Sequence, residues 1–107
     1  MPKLVLIVDD ENGPRQALRM LLKEEHEVRL ATDVSSAIKA LEQEAFNLVI
    51  TDIRMPQQSG VDLLRFVKRN YPETQVIILT GYAHLDTAMQ AVELGAKSVK
   101  LIGGGEI

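Results

Sequence analysis

The stretch "KLVLIVDDEN" (3–12) decides the fold, because a short apolar run ends abruptly in three acidic residues. The apolar run (4–8) is continuous, as expected for a strand of a parallel sheet that is covered on both faces. Asp9, Asp10 and Glu11 follow directly, although neighbouring like charges repel and their burial is costly. The position of these acids at the end of the most hydrophobic segment therefore requires a structural or functional explanation.

The rest of the chain alternates short apolar runs with amphipathic segments. Further strands are expected at 27–31, 46–51, 76–79 and 98–102, and helices at 12–25, 35–45, 61–70 and 84–94. This β-α-β-α-β-α-β-α-β order predicts an α/β fold with a doubly wound parallel sheet of five strands and right-handed crossovers.

Local signals predict how the first two helices begin. Asn12 or Gly13 is expected to cap the first helix, with Pro14 in its first helical position. The second helix is expected to follow a cap at Asp33 or Ser35. The first helix should bury a stripe formed by Ala17, Leu18, Leu21 and Leu22. Its basic side chains, Arg15, Arg19 and Lys23, should face water.

Composition excludes several classes of protein. A chain of 107 residues is expected to form one domain. The absence of cysteine excludes disulfides and thiolate metal sites, and the sequence shows no secretory signal, so a cytoplasmic protein is expected. No apolar run reaches the length needed to cross a membrane. A net charge of −3 argues against direct binding of nucleic acid.

Carboxylate or hydroxyl side chains, which can bind ligands, follow the ends of three predicted strands. Asp9 and Asp10 follow the first strand, Asp52 the third and Thr80 the fourth. In an open parallel sheet these ends form the binding site, where converging carboxylates can hold Mg²⁺. Taken singly, the acids could be helix caps or solvated loop residues, and Thr80 could simply bond the main chain. The coincidence of three strand ends favours a metal site.

The chain resembles the receiver domain of two-component response regulators over nearly its whole length. The resemblance rests on the acids at 9–10, "TDIRMPQQSG" (51–60), "LTGYA" (79–83) and the Gly-Ala pair at 95–96. Within that family, "DIRMP" and "TGYAHLDTAMQAVELGA" are most similar to receivers of enhancer-binding transcription activators.

The resemblance implies a strand order of 2-1-3-4-5 and a role for each site residue. Asp52 would accept a phosphoryl group, and Asp10, with Asp9 assisting, would bind Mg²⁺. The Arg54 carbonyl would complete the protein's share of the metal shell, and the Thr80 hydroxyl would bond a phosphoryl oxygen. A sensor histidine kinase would be the partner. Such a domain catalyses at most its own phosphorylation and dephosphorylation, and is not a turnover enzyme.

The end of the chain departs from the family pattern. The family's lysine after the fifth strand falls on Ile102 and its proline on Gly103, while Lys100 lies two residues early. The usual aromatic switch position is Val99. The tail "GGGEI" cannot form the family's fifth helix. We therefore expect a single receiver-like domain (1–107) that is altered or truncated after about residue 96.

Two alternatives and one consequence follow from this departure. The domain could be a pseudo-receiver, an interaction module that no longer completes the phosphoryl switch. A phosphatase of the haloacid-dehalogenase type is weaker, because the Asp-x-Asp motif after the first strand is absent. Without a fifth helix, one face of the sheet would be uncovered, and the expected consequence is a homodimer or strand exchange through that face.

Overall fold

The structure is a computed structural model that describes residues 2–53, 55, 57–79 and, for the main chain alone, 80 and 98–101. These residues form five strands and three helices. The strands are β1 (Leu4–Val8), β2 (Glu27–Ala31), β3 (Leu48–Asp52), β4 (Gln75–Thr80) and β5 (Ser98–Leu101). The helices are α1 (Asn12–Leu22), α2 (Val34–Gln43) and α3 (Gly60–Asn70). None of these helices combines the length and apolar character needed to cross a bilayer.

The five strands form one parallel sheet in the order β2-β1-β3-β4-β5, which confirms the predicted fold. Val8, at the end of β1, pairs with Ala31 on one side and with Thr51 on the other. Asp52 lies opposite Leu79 of β4. The carboxyl ends of β1, β3 and β4 therefore lie side by side at one end of the sheet.

Apolar side chains cover the sheet on both sides. The larger core joins the sheet to α2 and α3, and its fully buried members include Leu6, Val8, Val49, Leu63, Leu64, Val67, Val76 and Ile78. The smaller core, on the side of α1, is formed by Val5, Ile7 and Ile50. On that side Leu48, Ile77 and Leu79 are only partly buried, and we call these three residues the half-covered face. The apolar runs of β1, β3 and β4 fit this two-sided burial.

The first helix begins earlier than its capping signals predict. It starts at Asn12 with Glu11 in the cap position, and no side chain of that cap bonds the helix. Pro14 is therefore the third helical residue rather than the first. Proline is tolerated there because the N–H groups of the first turn have no partner within the helix.

The predicted apolar stripe of α1 is also too wide. Leu18 and Leu22 pack against the smaller core, as expected. Ala17 is exposed, and Leu21 is 78% exposed. Helix α1 packs against β1 and β2, and β2 is an edge strand of the sheet. One narrow row of α1 side chains therefore reaches the core.

The other described elements lie within two residues of their predicted bounds. Asp33 caps α2, as one of the two expected candidates, by accepting the Ser36 N–H. Ser59 caps α3 in a reciprocal arrangement with Asp62. The predicted helix at 84–94, the missing fifth helix and the glycine tail lie outside the described residues.

Candidate functional site

The end of β1 holds Asp9 in a tightly defined position. Its N–H continues the sheet by donating to the Ala31 carbonyl, 3.1 Å away. Its carboxylate Oδ1 accepts the N–H of Glu11 at 2.9 Å. The Asp9 side chain is buried, with 4% of the residue exposed, whereas Asp10 is exposed. The loop after β1 thus turns one carboxylate inward and leaves the next accessible from solvent.

Three carboxylates meet at this end of the sheet. Each of Asp9, Asp10 and Asp52 offers an oxygen, and these oxygens all lie within 4.8 Å of one another. Two oxygens bound to one octahedral Mg²⁺ are about 3 Å apart in neighbouring positions and about 4.2 Å apart in opposite positions, so the three carboxylate oxygens would move closer together around the ion. Hard carboxylate oxygens, one of them open to solvent, fit a cation that keeps several of its waters.

The electrostatic setting of the cluster favours a cation. Burial raises the pKa of the Asp9 carboxyl above its usual value, and the charges of Asp10 and Glu11 raise it further. The Glu11 N–H and the Arg15 guanidinium act in the opposite direction on this pKa. A bound divalent cation would offset both the burial and the mutual repulsion of the acids.

Two hydrogen bonds hold the main chain at Asp52 and at the next residue, Ile53. The hydroxyl of Thr51, a fully buried residue, donates to the Asp52 carbonyl at 2.9 Å. Gly60, the first residue of α3, donates its N–H to the Ile53 carbonyl at 2.8 Å. A Cβ on Gly60 would overlap the Asp52 carbonyl oxygen and lie 3.1 Å from the Ile53 Cα. The absence of a side chain at position 60 therefore lets α3 approach the acid at the end of β3.

Arg15 lies at the site, contrary to the prediction that it faces water. It is half-buried in the first turn of α1, and its guanidinium Nη1 donates to the Asp9 carbonyl at 2.9 Å. Nη2 donates to the Asn12 side-chain oxygen at 2.9 Å. Arg19 is likewise half-buried, whereas Lys23 is exposed as expected. Helical periodicity does not reveal the contact between Arg15 and Asp9. The signal that could have revealed it is the start of the helix immediately after the acids, which places the first turn beside them.

The structure brings together three of the predicted site residues and leaves others undescribed. Thr80 ends β4 one residue beyond Leu79, the partner of Asp52, and its main chain alone is described. Arg54 lies outside the described residues, as do Ile102 and Gly103. Val99 and Lys100 lie in β5, where the register pairs them with Ile78 and Leu79.

Comparison with known proteins identifies the family. The sequence profile of the response regulator receiver domain matches residues 5–99. Response regulator protein PilR of Pseudomonas aeruginosa is 41% identical over 92 residues, which cover 85% of this chain and 21% of PilR. The DNA-binding transcriptional regulator NtrC of Proteus hauseri is 37% identical over 93 residues, covering 86% of this chain and 20% of NtrC.

A solved structure agrees with these relatives. Response regulator protein TrrA of Thermotoga maritima, crystallised in complex with Mg²⁺-BeF, superposes with a TM-score of 0.83 and 29% identity. The match covers 94% of this chain and 87% of the TrrA chain. The chain spans only about a fifth of the length of these two curated relatives. The resemblance of the sequence to receivers of transcription activators is confirmed, and the chain belongs to the response regulator receiver domain family.

Proposed function

We propose that Asp52 accepts a phosphoryl group, assisted by Mg²⁺ held by Asp9, Asp10, Asp52 and the main-chain carbonyl of Arg54. The observation that carries this proposal is the meeting of three carboxylate oxygens within 4.8 Å at the ends of β1 and β3. Asp52 is the acceptor because it is half-buried at the end of a central strand, whereas the Asp9 carboxylate is buried. The TrrA complex with Mg²⁺-BeF supports the same chemistry by similarity.

The reaction is an in-line displacement on phosphorus. A carboxylate oxygen of Asp52 attacks the phosphorus atom, and the bond between phosphorus and the donor breaks. The donor leaves with the bonding electron pair, and Asp52 becomes an acyl phosphate. When bound, Mg²⁺ would neutralise charge on the phosphoryl oxygens. Thr80 would donate its hydroxyl to one of those oxygens, and the main-chain contacts of Thr51 and Gly60 would hold Asp52 in place.

The donor and the output follow from the same proposal. We infer that a sensor histidine kinase supplies the phosphoryl group, so that a phosphorus–nitrogen bond breaks and the imidazole takes up a proton. The relatives are about five times as long as the match, and NtrC is named as DNA-binding. Any such output would belong to segments other than this domain, which carries a net charge of −3 and would work in the cytoplasm.

The family is one of signalling domains, and neither alternative raised by the sequence gains support. A receiver of a response regulator is not a classical enzyme, so the phosphatase interpretation does not apply. The pseudo-receiver interpretation rested on the departures from the family pattern at the end of the chain, among them Ile102 at the lysine position, and the relatives give it no support.

Two measurements test the proposal. Titration with Mg²⁺ should show binding that is weakened strongly by Asp10→Asn and left unchanged by the control Glu42→Gln, an exposed residue of α2. Equal affinities in these variants would place the metal elsewhere. Incubation with a small phosphodonor and Mg²⁺ should add the mass of one phosphoryl group to the parent and none to Asp52→Asn. An unmodified parent would contradict the proposal.

A further inference from the structure

The guanidinium of Arg15 joins two points of the loop that carries the acids. It bonds the Asp9 carbonyl through Nη1 and the Asn12 side chain through Nη2, both at 2.9 Å. We propose that Arg15 is a positioning residue that fixes this loop so that Asp9 and Asp10 present their carboxylates to Mg²⁺. The inference rests on the proposed function, since it concerns the same metal site.

The bond to the Asp9 carbonyl acts on Asp10 through the main chain. The carbonyl of Asp9 and the N–H of Asp10 share one planar peptide unit, so fixing the oxygen fixes the direction in which Asp10 leaves the strand. Asp10 is exposed at the start of the loop, where packing restrains it little. A planar guanidinium with two donors in a fixed geometry restrains such a unit more firmly than a single flexible donor.

The other contacts of Asp9 complete this restraint. Its N–H is held by Ala31 and its carboxylate by the Glu11 N–H. Arg15 supplies the contact to the remaining main-chain group of Asp9, the carbonyl. Strand, loop and helix are therefore linked at one residue, and the link to the helix runs through the Arg15 side chain.

The charge of Arg15 alone predicts the opposite effect on metal binding. A cation beside an acidic cluster repels Mg²⁺ and partly satisfies the carboxylates, so its removal should tighten binding. If Arg15 instead positions the loop, its removal should weaken binding, because supporting contacts of this kind typically govern about ten- to hundred-fold in metal affinity. The sign of the change therefore separates positioning from charge.

The experiment measures Mg²⁺ affinity in the parent, Arg15→Ala, Arg15→Lys and Arg19→Ala. Arg19→Ala removes the same charge one turn further along α1 and is the matched control. We expect binding at least about ten-fold weaker for Arg15→Ala, a partial recovery for Arg15→Lys, and no weakening for Arg19→Ala. In the metal-free protein, the Glu11 N–H should exchange with solvent faster in Arg15→Ala, because the loop that presents it to Asp9 is released.

The results separate this inference from the proposed function. Unchanged or tighter Mg²⁺ binding by Arg15→Ala, alongside a parent that binds Mg²⁺, would overturn the positioning role and leave the metal site intact. Equal weakening by Arg15→Ala and Arg19→Ala would overturn it as well, because a general loss of charge or helix stability would then be the cause. A parent that binds no Mg²⁺ at these acids would overturn the metal site and the inference together.

Discussion

Replacing Gly60 by alanine should destabilise the domain and disturb the acid at the end of β3. An added Cβ would overlap the carbonyl oxygen of Asp52 and lie 3.1 Å from both the Asp52 carbonyl carbon and the Ile53 Cα. All three atoms belong to the main chain at the end of β3 and just after it, so no side chain can rotate away. Restoring ordinary contact requires the start of α3 to move outward by about 1 Å.

The size of the effect follows from two opposing contributions. Overpacking a buried site costs about 1 to 3 kcal/mol, and the site is buried. The helix gains up to about 1 kcal/mol when alanine replaces glycine. A net loss of about 1 to 2 kcal/mol is expected, equivalent to a fall of about 5 to 15 °C in Tm. Displacement of Asp52 should also weaken Mg²⁺ binding.

Urea denaturation and Mg²⁺ titration measure the two consequences, with Gly13→Ala as the matched control. Gly13 also lies in the first turn of a helix, but nothing lies within 4 Å of a Cβ built there. Gly13→Ala should therefore be as stable as the parent or slightly more stable. If Gly60→Ala shows the same stability and the same Mg²⁺ affinity as Gly13→Ala, the close approach at Asp52 does not constrain the site.

Four further predictions concern charge, acid stability, the lysine position and association. Without metal, Asp9→Asn should be more stable than the parent, because the variant lacks a buried carboxylate beside like charges. Thermal unfolding with and without Mg²⁺ should also show that Mg²⁺ raises the Tm of the variant less than that of the parent. The hydrogen bond from the Ser36 N–H lowers the pKa of the Asp33 carboxyl. The ionised carboxylate therefore stabilises the fold above pH 3.8, and this contribution is lost as the pH falls through the folded-state pKa. In denaturation experiments below about pH 3.8, Asp33→Asn should lose less stability than the parent. Ile102→Lys should raise the rate of phosphorylation by a small donor, since a positive charge would stabilise the transferring group, and an unchanged rate would contradict this. The half-covered face should promote self-association, which sedimentation over a wide concentration range would detect, and a monomer throughout would exclude it.

The sequence predicted the fold and the convergence of the acids because both depend on strand order. Continuous apolar runs identify buried parallel strands, and the carboxyl ends of neighbouring strands meet at one end of the sheet. Strand order alone therefore places Asp9, Asp10 and Asp52 together. It does not determine their individual burial, which depends on how the loop after β1 turns.

Contacts made through the main chain could not be predicted. The bond from Arg15 to the Asp9 carbonyl and the bond from Thr51 to the Asp52 carbonyl leave no mark in hydrophobic periodicity. The exposed Leu21 was misplaced for a related reason, since the width of a buried helix face depends on where the helix crosses the sheet. The close approach of Gly60 to the Asp52 carbonyl is likewise a main-chain contact, which the motif "TDIRMPQQSG" does not reveal.

The central claim, that Asp52 accepts the phosphoryl group with help from a metal held by its neighbours, is tested most directly by locating the modified residue. The parent is treated with a small phosphodonor, with Mg²⁺ or with a chelator, and the acyl phosphate is mapped by peptide mass spectrometry. We expect the phosphoryl group on Asp52 alone, and only in the presence of Mg²⁺. A phosphoryl group on Asp9 or Asp10, or equal modification of Asp52 in the chelator, would contradict the account.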